Sequence, residues 1–239
     1  MASKSGPDII EDGLVLCLDA ASKRSYPGTG TVWTDLKGAN NGTLTNGPTF
    51  DADNGGGIVF DGTDDSVDFT NSSSLRPVNV SAGIWAKTDG TNSYDPIFCV
   101  DDGSRNDYGI TIKDGGSGRR VGVQLNTNSG YISGANSASW YDLEADHGSA
   151  TAILSTQFNY ILISYDGITA KIFFNGVEKK STTSGIGGDI EYPGVIQIAI
   201  CKDTSFYCGA SVAGFHVYNR ALTADEVRRN YLSTKERYA

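Results

Sequence analysis

The nearest approach to a hydrolytic carboxyl pair in this sequence is Glu144-Ala-Asp146, followed by His147. Glycoside hydrolysis needs two carboxyl groups flanking one bond, roughly 5 to 9 Å apart depending on mechanism. Residues two apart on a strand share a face. Here, however, they stand in the polar, Gly/Ser/Ala-rich stretch 126–156, where a solvated loop is the expected setting. His147 and His216 are too few for a three-histidine zinc site, and no Gly-x-Ser-x-Gly accompanies them. His216 lies inside an apolar run and reads as a structural residue. Gly55–Gly57 and Gly115–Gly118 are not followed by Lys-Ser/Thr and do not lead from strand to helix, so neither reads as a phosphate cradle. Asp51-Ala-Asp-Asn-Gly-Gly begins like an EF-hand loop but has Gly62 at its twelfth position, where a bidentate Glu is needed.

Sugar binding asks for aromatic faces that stack on sugar C–H groups, flanked by amides and carboxylates. Tyr131, Trp140, Tyr141 and Asp142 supply those types within 126–156 and are the candidate ligand-binding residues. The competing reading is that Trp140 and Tyr141 pack inward and anchor the segment. Trp33 and Trp85 are assigned to packing.

The elements that must position these residues are strands. Thirty glycines, twelve tyrosines and one methionine among 239 residues suit tight turns and half-buried pleated faces better than helix packing. Gly57–Phe69 reads as a strand, a polar turn and a second strand, a central strand pair. Leu14–Leu18 is a continuous apolar run, expected to be covered on both faces. Asp19–Asn54 reads as a long loop pinned by Val32, Trp33 and Leu44. Residues 108–112 and 121–125 alternate as neighbouring strands. Phe158–Val177 is a meander, with a two-residue turn expected at Asp166-Gly167 and another at Asn175-Gly176. Thr223–Glu226 is a capping box, with Leu222 and Val227 as a hydrophobic staple, and predicts one short C-terminal helix. The fold class expected is all-β, a two-sheet antiparallel jelly-roll sandwich. The expected organisation is an N-terminal arm over 1–12 and a single domain over 13–239.

A net charge of −9 without clustered Lys and Arg speaks against nucleic acid as a partner. Most of the acid is carried by 22 aspartates, a residue type suited to turns. No apolar stretch reaches transmembrane length and the first residues lack the apolar core of a secretion signal, so neither membrane insertion nor export is expected. Cys17, Cys99, Cys201 and Cys208 have no paired metal-ligand spacing and read as reduced core thiols.

The order of the segments LVLCLDA, SYPGTGTVWTDLKGANNGTLTNGPTF, GGGIVFDGTDDSVDF, YDGITAKIFFNG and VAGFHVYNRALTADEVRRNY resembles the concanavalin A-like lectin/glucanase superfamily, in its laminin-G/pentraxin-like branch. Glucanases of that superfamily carry Glu-x-Asp-x-Glu or a one-residue variant along one strand. Glu144-Ala-Asp146 lacks the second Glu, so a glucanase is the least favoured reading. Many members hold calcium with the loop matched here by Asp35–Gly42 and an acidic residue in the last strand, a position occupied here by Ala213. The expectation is no cofactor. Were Ca²⁺ bound, its candidate ligands are Asp35, Asn41 and Asp61. The run from Ser25 to Pro48 is similar to single-domain versions among structural proteins of tailed-phage virions. The resemblance therefore implies a non-catalytic virion protein, a capsid decoration or tail appendage assembled in the host cytoplasm. Its partners would be other virion proteins or copies of itself, with weak adhesion to cell-surface glycan. A free-standing carbohydrate-binding module is the alternative.

Overall fold

The computed structural model describes residues 8–88, 94–101, 106–114, 119–132, 140–142, 154–190, 194–201 and 206–238. Two large antiparallel sheets pack face to face. The first runs, in spatial order, β15 (Val177–Thr182), β14 (Ala170–Phe174), β13 (Asn159–Tyr165), β7 (Val80–Thr88), β19 (Gly209–Tyr218), β5 (Gly57–Asp61) and β4 (Thr49–Asp51), and β1 (Leu14–Asp19) also pairs with β19. The second runs β11 (Gly130–Ile132), β10 (Arg119–Thr127), β9 (Asn106–Asp114), β8 (Tyr94–Asp101), β16 (Val195–Ile198), β6 (Ser66–Phe69), β3 (Gly42–Thr45) and β2 (Val32–Trp33), with β12 (Trp140–Asp142) also on β10. A two-stranded ribbon, β17 (Ile200–Cys201) with β18 (Phe206–Tyr207), stands beside them. With the short helix α1 (Ala224–Thr234), this is the jelly-roll sandwich the sequence predicts.

Strand alternation builds the core between the sheets. Val121, Val123 and Leu125 of β10 and Ile110 and Ile112 of β9 meet Ile84, Ile161, Ile163 and Phe215 of the first sheet in one buried cluster. Each such side chain contributes about 1.5–3 kcal/mol on leaving water. Gly57–Phe69 departs from the expected strand pair. β5 pairs with β4 and β19 in the first sheet, and β6 pairs with β3 and β16 in the second. The turn between them therefore carries the chain from one sheet to the other. It is closed locally, Asp65 Oδ2 accepting from Asp61 N at 3.0 Å. Gly62 has φ 74° and lies so near Gly209 N that a Cβ would stand 2.9 Å from it.

The stretch Asp19–Asn54 is more regular than its composition suggests, because β2, β3 and β4 lie within it. Trp33 and Leu44 are buried there as expected, whereas Val32 is 48% exposed. The meander forms as predicted at Asn175-Gly176, both residues having positive φ. The first turn differs: Tyr165 pairs with Ala170, so the loop has four residues, and Asp166 Oδ1 accepts from Ile168 N and Thr169 N. The side chain adds to a long backbone bond there, Asp166 N donating to Thr169 O at 3.4 Å.

The outer face of the first sheet is also apolar. Trp85, Tyr160, Leu162, Phe173 and Tyr218 form a second cluster with Leu222 and Val227 of the helix region and with Tyr238. The capping box is present, Thr223 N donating to Glu226 Oε2 at 2.8 Å, and Glu226 also pairs with Arg220 at 2.7 Å. The run Leu14–Leu18 is thus covered on both sides, facing the core through Leu16 and Leu18 and the second cluster through Leu14 and Cys17.

His216, on β19 opposite Cys17 and Gly83, is 3% exposed beneath this layer. Burial, and secondarily the nearby Arg237 cation, holds its imidazole down at about 4. The unfolded chain takes up that proton near pH 6.5, so below 6.5 the unfolded state binds more protons and stability falls until pH 4. Glu226, held at about 2 first by its hydrogen bond from Arg220, loses stability in the same direction below its ordinary 4.5. The urea midpoint is therefore expected to drop between pH 6.5 and 4 by the equivalent of about 3 kcal/mol from His216 alone. His216→Gln should flatten the curve from 6.5 to 4.5; an unchanged slope in that variant would refute the assignment.

Candidate functional site

The second sheet has two unlike faces. Its inward residues are mostly apolar, and amides, hydroxyls and glycines are prominent among their alternates on the outward side. Strand pairing aligns one from each strand into a row across the sheet. Gln124 lies opposite Gly109, Gly109 opposite Cys99, Cys99 opposite Gln197, Gln197 opposite Asp68, and Asp68 opposite Thr43. Asn126 and Thr111 extend the polar face one step along their strands. Gly109 is required by close backbone approach, since a Cβ would stand 2.6 Å from Phe98 O. Its absence leaves a floor without a side chain between Gln124 and Cys99.

Thr111, Gln124, Asn126 and Gln197 are buried although they face away from the core. Thr111 Oγ1, Asn126 Nδ2 and Gln197 Oε1 have no hydrogen-bond partner among the described residues. Asp68 accepts from Gln197 Nε2, from Thr45 Oγ1 at 2.7 Å and from Ser66 Oγ at 3.4 Å. Among the described side chains of this face it is the one carboxylate. The sequence carries a signal for this row, the strict alternation of 121–126 (VGVQLN) and the single amide inside the apolar run 195–198 (VIQI).

Of the sugar-binding candidates, Tyr141 is buried in the core, its ring 5.9 Å from that of Phe174 and capped by Lys179 Nζ at 5.3 Å. Core contact was the competing expectation for it, and its ring is not an open stacking face. Trp140 and Asp142 register opposite Gly122 and Arg120 on β10, and Tyr131 opposite Asn126, so all four candidates border the same strand. Gly122 and Asn126 belong to its outward set. Glu144, Asp146 and His147 lie outside the described residues.

Asp35, Asn41 and Asp61 are not brought together. Gly42 pairs with Phe69 and Thr45 with Ser66, which sets the 35–41 loop at one end of the β3–β6 pair and the Asp61 turn at the other. Asp35 is buried, and its carboxylate accepts from four backbone N–H groups: Cys17 and Lys37 at 2.9 Å on Oδ1, Ala39 at 3.2 Å and Asn40 at 3.1 Å on Oδ2. A carboxylate has about four lone-pair sites, and all are used. Asn41 Oδ1 accepts from Asp35 N at 2.9 Å. Ala213 is buried in the outer apolar cluster, and its carbonyl accepts from Ala20 N. These residues do not fit a calcium ion at the 35–41 loop. Asp61, Asp64 and Asp65 offer oxygens within 4.8 Å of one another. The bonds within this trio are those of a self-closed turn, Asp61 Oδ1 accepting from Thr63 N at 2.7 Å. That bond lowers the Asp61 pKa, while burial raises that of Asp65.

Residues 61–228 match the sequence profile of a family described as the concanavalin A-like lectin/glucanases superfamily. No curated protein matches the chain. Among solved structures, the botulinum neurotoxin type G receptor-binding domain is 18% identical with a TM-score of 0.64, over 92% of this chain and 51% of that one. The serotype D binding domain has the same TM-score and coverage at 14% identity. A Trypanosoma rangeli sialidase in complex with sialic acid is 14% identical with a TM-score of 0.64, over 98% of this chain and 35% of its own. The chain thus spans about half the toxin domains and a third of the sialidase, and at these identities the likeness is one of fold.

Because the Asp35 carboxylate organises its loop alone, Asp35→Asn replaces an acceptor oxygen by a donor facing two N–H groups. The denaturant midpoint should fall by the equivalent of about 3 kcal/mol, and added calcium should not restore it. Restoration by calcium would show that the loop holds the ion after all.

Proposed function

The chain belongs to the concanavalin A-like lectin/glucanases superfamily, and from that premise we propose that it is a non-catalytic glycan-binding domain whose ligand lies across the outward face of the second sheet. The observation that carries this reading is the polar set Thr111, Gln124, Asn126 and Gln197 on that face, with atoms on Thr111, Asn126 and Gln197 that have no hydrogen-bond partner among the described residues. A buried polar atom without a partner costs about 1–3 kcal/mol, and sugar hydroxyls, which both donate and accept, would relieve it. Amides and hydroxyls favour a neutral glycan over an anionic one on a chain of net charge −9. Tyr131, Trp140 and Asp142, on strands paired to β10, are the ligand contacts proposed at the rim. Hydrolysis would need a second carboxyl group beside Asp68, whose oxygens already hold Gln197, Thr45 and Ser66.

We further propose that the domain is carried on a phage virion, as capsid decoration or tail appendage, with other virion proteins or further copies as partners. The support is the resemblance of Ser25–Pro48 to segments of such proteins.

A glycan array probed with the full chain should give saturable binding to neutral glycans without release of reducing ends. Gln197→Ala and Trp140→Ala should each weaken it at least about tenfold, the loss of one or two good contacts. An inert array, or cleavage, would overturn the glycan reading. Cryo-electron microscopy of purified particles should place the sandwich at symmetry-related positions; its absence from particles would overturn the virion reading alone.

A further inference from the structure

Cys99 lies on the outward face of the second sheet, opposite Gln197 and Gly109. Just after β16, Ala199 takes a left-handed conformation with φ 64°, uncommon for a residue with a side chain. Its N–H donates to Ile97 O and its carbonyl accepts from Cys208 N. This kink turns the chain back over β8, and the ribbon it begins brings Cys201 Sγ to 2.7 Å from Cys99 Sγ. Two sulfur atoms at that separation are closer than unbonded thiols rest. Both are buried. The remaining cysteines lie elsewhere. Cys208 belongs to the core between the sheets, and Cys17 to the apolar cluster on the far side of the first sheet.

We propose that Cys99 and Cys201 are a redox pair that closes into a disulfide, stapling the β17–β18 ribbon to β8 across the outward face of the second sheet. The oxidant is a small-molecule disulfide of the glutathione class. One protein thiolate attacks a sulfur of that disulfide and expels one small thiolate. The second protein thiolate then attacks the mixed disulfide at the protein sulfur, forms the Cys99–Cys201 bond and expels the other. Two electrons and two protons pass from the protein to the two small thiols, and nothing else is consumed. The partners are 102 positions apart in sequence, so the bond closes a long loop in the unfolded chain.

The test is thiol mapping of the full chain after incubation with oxidised glutathione or with dithiothreitol, followed by alkylation in denaturant and peptide mass spectrometry. Oxidation should remove two hydrogens, yield one cross-linked peptide pair joining Cys99 to Cys201, and leave Cys17 and Cys208 alkylated. For a loop this long it should also raise Tm by about 10 °C relative to the reduced protein. Cys99→Ser and Cys201→Ala should each abolish the cross-link and the rise. Four alkylated thiols after oxidation, glutathione adducts without internal closure, or a link to Cys17 or Cys208 would overturn the proposal. The mapping on the unaltered chain decides the matter even if either variant fails to fold.

Discussion

The architecture depends on a third layer that Trp85 assembles. Its ring lies 5.3 Å from that of Tyr160, 5.7 Å from Tyr231 and 5.2 Å from Tyr238, and its Nε1 donates to Thr234 Oγ1 at 3.0 Å. One side chain of β7 thus holds the helix and the residues after it. Without that cover, the first sheet would present Tyr160, Leu162 and Phe173 to water as a contiguous apolar patch of the kind soluble surfaces rarely tolerate. The Asn230 side chain, bonded to Tyr218 OH and to Ile10 N, ties the same layer to β19 and the N-terminal segment. The first sheet is thereby buried on both sides, and outward-facing chemistry is left to the second.

The acidic composition follows from how loops are closed. Asp35 accepts four backbone N–H groups, Asp61 and Asp65 close the crossing between the sheets, and Asp166 closes the first turn of the meander. Asp19, buried at the end of β1, accepts from Ala21 N, from Tyr238 OH and from Arg237. Each satisfies donors that a loop cannot pair through a ladder. Carboxylates used this way are spent on local structure. The Asp35 loop therefore resembles a cation-binding one in sequence while its carboxylate is taken up by backbone donors.

What was legible in the sequence was local. The capping box, the staple and the Asn175-Gly176 turn each depend on residues within a few positions of one another, and the paired alternation of β9 and β10 on neighbouring segments of the chain. That β5 and β6 part into different sheets was not legible, because sheet membership is decided by partners far along the chain, β19 for one and β16 for the other. The site was half visible. Alternation in 121–126 shows a two-faced strand, but which side faces outward follows from what covers the opposite sheet. Tyr141 reads in sequence either as a stacking face or as an inward anchor, because its surroundings are polar; in space it faces Phe174. The meeting of Cys99 with Cys201 depends on the kink at Ala199, an alanine in a conformation its identity does not announce.

The outward row also constrains how strongly such a face can bind. Each hydrogen bond from an amide or hydroxyl to a sugar replaces one to water, so its net contribution is about 0.5–1.5 kcal/mol. A ligand completing Thr111, Asn126 and Gln197 gains a few such bonds and relief of their unpaired atoms, set against the association entropy of about 4–15 kcal/mol. A single site of this kind is weak and reversible. Repetition changes that balance, because copies on one particle turn later contacts into intramolecular events and raise overall avidity by about 10²–10⁴ without new chemistry. A face that binds through a few hydrogen bonds is therefore a poor basis for a solitary receptor and a sufficient one for a domain displayed in many copies, the setting proposed for this chain.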